Sequence, residues 1–109
     1  MLVRTWKVHI LKNRITDLKH FARTESLPMF KKQAGCLGVM FTLSGNLCAT
    51  TTIWKDMESI EALKTSPTYN ETVKKIVATG MLEGEQSVEI FDCFGGFLEL
   101  EAIGNFLQN

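Results

Sequence analysis

Long apolar runs are missing from this sequence. No stretch approaches the roughly 18 residues of a membrane-spanning helix. The opening MLVRTWKVHI lacks the apolar core of about 7–15 residues that marks a secretory signal. The expectation is a cytoplasmic protein with no membrane partner. Charge of one sign is missing too: twelve basic residues balance twelve acidic ones. That argues against a nucleic-acid partner, which needs a basic footprint. The pairs Lys31–Lys32 and Lys74–Lys75 read as solvated helix faces. Cysteine is sparse and odd in number: Cys36, Cys48 and Cys93, with no CxxC. Neither a disulfide framework nor a zinc site follows, and the three read as reduced, small apolar fillers. Gly95-Gly96 has no GxGxxG or GxxxxGK context, so no phosphate cradle is expected. No pair of carboxylates falls at a spacing that suggests acid–base work. Neither a metal nor an organic cofactor is expected.

What is present centres on GCLGVMFTLSGNLCATTTIWK, residues 35–55. Leu37–Ser44 and Leu47–Trp54 are rich in β-branched and aromatic residues, which suit a packed pleated surface. Gly45-Asn46 between them is a tight hairpin turn, because Gly first in a two-residue loop supplies φ > 0. Pairing Ser44 with Leu47 sets the register. Leu43 then faces Cys48, Phe41 faces Thr50, Val39 faces Thr52, Leu37 faces Trp54, and Cys36 falls opposite Lys55. Leu37, Val39, Phe41, Leu43, Cys48, Thr50, Thr52 and Trp54 share one face. Gly38, Met40, Thr42, Ala49, Thr51 and Ile53 share the other. Neither face is charged, so both need a cover: the chain's own helices on one side, a second subunit on the other.

In chain order, Val3–Leu11 alternates as a strand, with Trp6, Val8 and Ile10 on one side and Thr5, Lys7 and His9 on the other. From about Thr16 the period turns helical, through Leu18, Phe21, Ala22, Met29 and Phe30. Pro28 kinks or restarts this helix near Leu27, and Gly35 ends it. After the hairpin, Asp56 is an N-cap and Met57, Ile60 and Leu63 form a short helix. Ser66 caps the next, with Pro67 at its first position. Tyr69, Val73, Ile76 and Val77 mark its apolar face, and Gly80 its end. Met81–Gln86 reads as a loop and Ser87–Phe94 as the last strand. Residues 1–95 thus form one domain of order β-α-β-β-α-β, an α+β ferredoxin-like fold with an antiparallel sheet. Residues 96–109 form an apolar tail that docks on its own or the partner subunit. Two such sheets packed face to face make a homodimer.

Three pieces then carry a resemblance: PMFKKQAGCLGV at 28–39, TTIWKDMESIEALKTSP at 51–67, and the helix that continues with Tyr69. Together they resemble the antibiotic biosynthesis monooxygenase family of dimeric α/β barrels, over roughly residues 3–94. The resemblance implies a homodimer and a pocket between sheet and helices. It also implies several possible activities, among them oxidation of aromatic quinols or anthrones by O2 without a prosthetic group, and haem degradation. The haem-degrading members have an Asn on the first strand, a Trp in the helix after the third strand and a His beyond the kink. Here the Trp position is Leu63, the His position is Val73, and Leu2–Leu11 has no Asn. The resemblance therefore argues against haem degradation.

Cofactor-free oxidation needs an apolar pocket and a group that generates or stabilises the substrate anion. His9 and His20 are the candidate bases, since histidine titrates near neutral pH. Trp6, Phe21, Met40, Trp54 and Tyr69 are the candidate pocket lining. The leading expectation is a cofactor-independent monooxygenase-like protein that acts on or binds a small aromatic molecule. The alternative is a non-catalytic dimeric module that binds a small molecule or another protein. The two differ at one point: an enzyme requires an open cavity with a polar, titratable side chain in it. Solvent-facing histidines together with a cavity filled by Phe and Met would remove the oxygenase reading.

Overall fold

The structure is a computed structural model that describes residues 1–108. The elements run β1 (Leu2–Ile10), a 3-10 turn (Lys12–Arg14), α1 (Ile15–Phe21), a π-helical turn (Ala22–Ser26), α2 (Leu27–Lys31), β2 (Cys36–Ser44), β3 (Leu47–Trp54), α3 (Met57–Glu61), a 3-10 turn (Ala62–Thr65), α4 (Pro67–Ala78), β4 (Leu82–Asp92) and α5 (Leu100–Leu107). The sheet order is β2-β3-β1-β4, antiparallel throughout. This is the ferredoxin-like α+β fold expected from the element order.

The hairpin forms in the expected register from Ser44↔Leu47 to Val39↔Thr52. It departs at its open end. Cys36, not Leu37, pairs with Trp54, and Gly38 pairs with Ile53. Leu37 is the extra residue of a bulge and is 61% exposed. The bulge lets Trp54 bury completely while Cys36 packs beside it.

The first helical run starts at Ile15 and carries a π turn just ahead of Pro28. Proline has no N–H to return to the preceding turn, and the widened turn accommodates it. The Asp56 carboxylate caps α3 by accepting from the Ser59 N–H at 2.8 Å. Ser66 Oγ caps α4 by accepting from the Tyr69 N–H at 3.3 Å. Two expectations in the second half are corrected. Val77 is 53% exposed rather than on the inner face of α4. The last strand begins at Leu82, inside the expected loop, and ends at Asp92, so Phe94 lies beyond it and fully exposed. Gly84, at φ 79°, makes the early start possible. Residues 84–86 stand opposite Val8 alone, and pairing resumes at Glu83↔His9.

Helices cover one face of the sheet. Val8, Ile10, Cys48 and Met81 pack with Leu18 and Phe21 at one end. Leu2 and Trp54 pack with Met29, Phe30, Ile60 and Leu63 at the other. The second face, carrying Val3, Thr5, Met40, Ala49, Thr51 and Ile53, has no helix over it and is half-buried. No helix among the described residues is long and apolar enough to cross a membrane.

Candidate functional site

Between the two core clusters the helices stand off the sheet and leave a cavity. An outer lobe of about 500 Å³ opens beside α1, the π turn and the edge strand β2. An inner lobe of about 160 Å³ runs toward α4 and β4. Trp6, Phe21, Ser26, Phe41, Thr50 and Ile76 line both. The outer volume falls within the roughly 300–1,000 Å³ range of small-molecule sites.

The inner lobe holds the chemistry. Arg4 lies on β1 two residues from Trp6, so strand alternation points both at the helices. Its Nη2 donates to the Tyr69 hydroxyl at 3.0 Å, and its guanidinium lies 5.9 Å from the Tyr69 ring centroid. Tyr69 is set in place by the Ser66 cap and by its ring packing on Phe30 at 6.4 Å between centroids. A phenol hydroxyl that accepts from a guanidinium still has its own proton to donate. The pair therefore presents a donor backed by a permanent positive charge. Across the lobe, Trp6 Nε1 donates to Gln86 Oε1 at 2.9 Å, which fixes the indole as a wall. That contact depends on the irregular pairing of residues 84–86.

Trp6, Phe21 and Tyr69 line the cavity as expected candidates. Trp54 does not: it is fully buried in the lower core, and its Nε1 donates to Thr52 Oγ1 at 2.7 Å. Met40 does not either, because its position on β2 points it to the uncovered face. His9 is exposed on that same face, and His20 is exposed on α1. Neither histidine lines either lobe. The cavity is open rather than filled by Phe and Met, and Tyr69 is a titratable side chain inside it. The condition that would have removed the oxygenase reading is met in its first half only.

Cys48 borders the outer lobe. Burial pushes its thiol pKa above the ordinary value, with the Thr50 hydroxyl opposing in part. A thiol kept protonated is a poor nucleophile, so Cys48 is wall, not reagent. Arg4 and Gln86 were missed in the sequence. Arg4 was within reach, as the one charged residue at the inward parity of β1. Gln86 was not, because its place depends on a bulge.

No family model matches this sequence, and no curated protein matches it. Solved structures do match. A monooxygenase from the ActVA-Orf6 gene of Streptomyces coelicolor, in complex with nanaomycin D, superposes with a TM-score of 0.77 at 14% identity, covering 89% of this chain and 90% of that one. An antibiotic biosynthesis monooxygenase superposes at 0.72 and 15% identity, covering 87% and 100%. The fold is that of the antibiotic biosynthesis monooxygenases. The same fold also belongs to a protein of unknown function from Nitrosomonas europaea, at 0.72 and 12% identity, covering 89% and 92%. At such identities the antibiotic biosynthesis monooxygenase likeness carries architecture, and the reaction must be argued from the cavity.

Proposed function

We propose that this protein is a cofactor-independent monooxygenase of small phenolic aromatics of the quinol or anthrone type. The observation that carries this reading is the Arg4-backed Tyr69 hydroxyl facing an apolar cavity. Phenolates and enolates react with O2 where the neutral forms do not. A positively backed donor in an apolar surround stabilises that anion. One atom of O2 enters the ring carbon and the other leaves as water. The two hydrogens in that water come from the substrate, whose own oxidation to the quinone supplies the electrons, so the balance needs no reductant. Trp6, Phe21 and Phe41 sandwich the ring, and Tyr69 orients the oxygen. His9 and His20 lie outside the cavity and have no part in this scheme. Likeness to a monooxygenase solved with nanaomycin D supports the reading.

Oxygen consumption with anthrone, followed as quinone absorbance, is the test. Turnover that falls by about tenfold or more in Tyr69→Phe supports the reading. Absence of turnover with both quinols and anthrones overturns it in favour of a binding module.

The working form in this reading is a homodimer. The uncovered face carries Val3, Met40, Ala49 and Ile53, the mutually paired Lys7 and Glu89 and, toward one end, His9, and a second copy is the occupant it suits. Phe91 at 52% exposure extends the same face. Phe94, Phe97 and Leu98 of the tail are exposed as well. Sedimentation should give a dimer, and Thr51→Arg, which puts a charge mid-face, a monomer. A wild-type monomer at micromolar concentration would rule this out.

A further inference from the structure

The charges around the cavity all have one sign. Arg4 lines the inner lobe; Lys19 and Arg23 line the outer. No Asp or Glu lines either lobe, although the chain has equal numbers of acids and bases. Elsewhere four cations find carboxylates, while Lys12, Lys31, Lys32, Lys55 and Lys74 stand exposed with no ion pair among the described residues. Lys7 pairs with Glu89, Arg14 with Asp17, Lys64 with Glu61, and Lys75 with Glu25 and Glu71. Among the described residues, neither Lys19 nor Arg23 has such a partner, and half-buried Arg4 has only the Tyr69 hydroxyl. A guanidinium has five N–H donors, and a partly desolvated charge without a counter-ion is costly to keep. A cavity with half-buried Arg4 at its inner end, exposed Lys19 and Arg23 at its mouth and no lining carboxylate is complementary to a ligand that brings the negative charge.

We propose that the cavity selects anionic aromatics, specifically carboxylated phenols or quinols. The aromatic body lies along the wall shared by the two lobes. The phenolic oxygen meets Tyr69 and Arg4 in the inner lobe, and the carboxylate reaches Lys19 and Arg23 at the outer mouth. Phe106 and Leu107 of α5 border the same mouth and offer apolar surface to the ring. This inference rests on the functional reading above and narrows its substrate class.

The test compares hydroxynaphthoate with naphthol, two probes that share a ring system and differ in the carboxylate. Calorimetry at low salt should show the acid binding about tenfold tighter, equivalent to about 1.4 kcal/mol. That advantage should shrink as NaCl is raised, since salt screens partly exposed charges. It should vanish in the Lys19→Gln/Arg23→Gln double variant, whose exposed positions leave the fold intact, while naphthol affinity stays put. Equal affinity for the two probes, or an advantage that survives the double variant, overturns the proposal. Oxygen uptake separates this result from the oxygenase reading. Equal turnover of naphthohydroquinone and its carboxylated form would sink the anion selectivity and leave the oxygenase standing. Tighter binding of the acids with no uptake would do the reverse.

Discussion

Arg4 and Tyr69 lie 65 positions apart in the chain, yet the guanidinium of one donates to the hydroxyl of the other at 3.0 Å. β1 supplies the cation at the sheet, and the capped start of α4 lowers the phenol onto it. This contact joins the two halves of the domain at the inner end of the cavity.

Removing either partner should therefore be felt in catalysis more than in folding. Tyr69→Phe loses the donor and keeps the ring packing on Phe30. Arg4→Gln keeps a polar group and loses the charge. Both should lower turnover by about tenfold or more, with melting temperatures close to wild type. Equal rates in Tyr69→Phe and wild type would remove the hydroxyl from the mechanism.

The histidines provide the contrasting control. His9→Gln and His20→Gln change exposed side chains outside the cavity. Each should retain turnover within about twofold and stability within about 0.5 kcal/mol, the usual range for surface changes. A loss of activity in either would show that a base reaches the substrate from outside the described cavity.

A stability prediction follows from Gly35, which ends the α2 turn at φ 81°. A Cβ added there would run into the Ser59 side chain. Ser59 cannot move aside freely, because its Oγ donates to Asp56 at 2.6 Å. Gly35→Ala should cost at least about 1 kcal/mol from the backbone conformation alone, and more from the clash. Urea titration reads this directly, and an unchanged midpoint would contradict it.

The same corner carries an acid-dependent contribution. The Ser59 hydroxyl, and then its N–H, hold the Asp56 pKa below its ordinary 3.8. The folded value is the lower one, so the stabilisation is present above pH 3.8 and is lost as pH falls through the folded value. Asp56→Asn keeps a good cap without a titrating group. The stability difference between wild type and this variant should narrow below pH 3.8. A constant difference would mean that the carboxylate charge contributes nothing there.

Thiol chemistry gives an alkaline counterpart. Burial raises the pKa of Cys48 above the ordinary 9.0, and the Thr50 hydrogen bond offsets only part. The native protein thus holds this proton longer than the unfolded chain does. The linked stability is present below pH 9.0 and is lost as pH rises through the folded value. Iodoacetamide should label Cys48 last of the three cysteines at pH 8, and rapidly only after unfolding. Early labelling would mean that the outer lobe admits the reagent to a thiolate.

The sequence by itself determined the element order, the hairpin register from Ser44 to Val39, and the caps at Asp56 and Ser66. These depend on local chemistry: glycine tolerates φ > 0, a cap side chain bonds a nearby N–H, and strand parity has a fixed period of two. Parity also set His9 opposite in facing to Trp6, and Met40 to Phe41, but not which face the helices cover, so His9 and Met40, both expected at the site, lie on the other side of the sheet. Carried two residues further, it would have set Arg4 on the same side as Trp6. Tertiary structure alone decided the rest. The bulge that ejects Leu37 exists because burying Trp54 outweighs regular pairing. The irregular stretch at 84–86 brings Gln86 to Trp6. Tyr69 meets Arg4 only when α4 packs on the sheet. Each of these is a compromise between elements distant in sequence, and no local pattern encodes which element gives way.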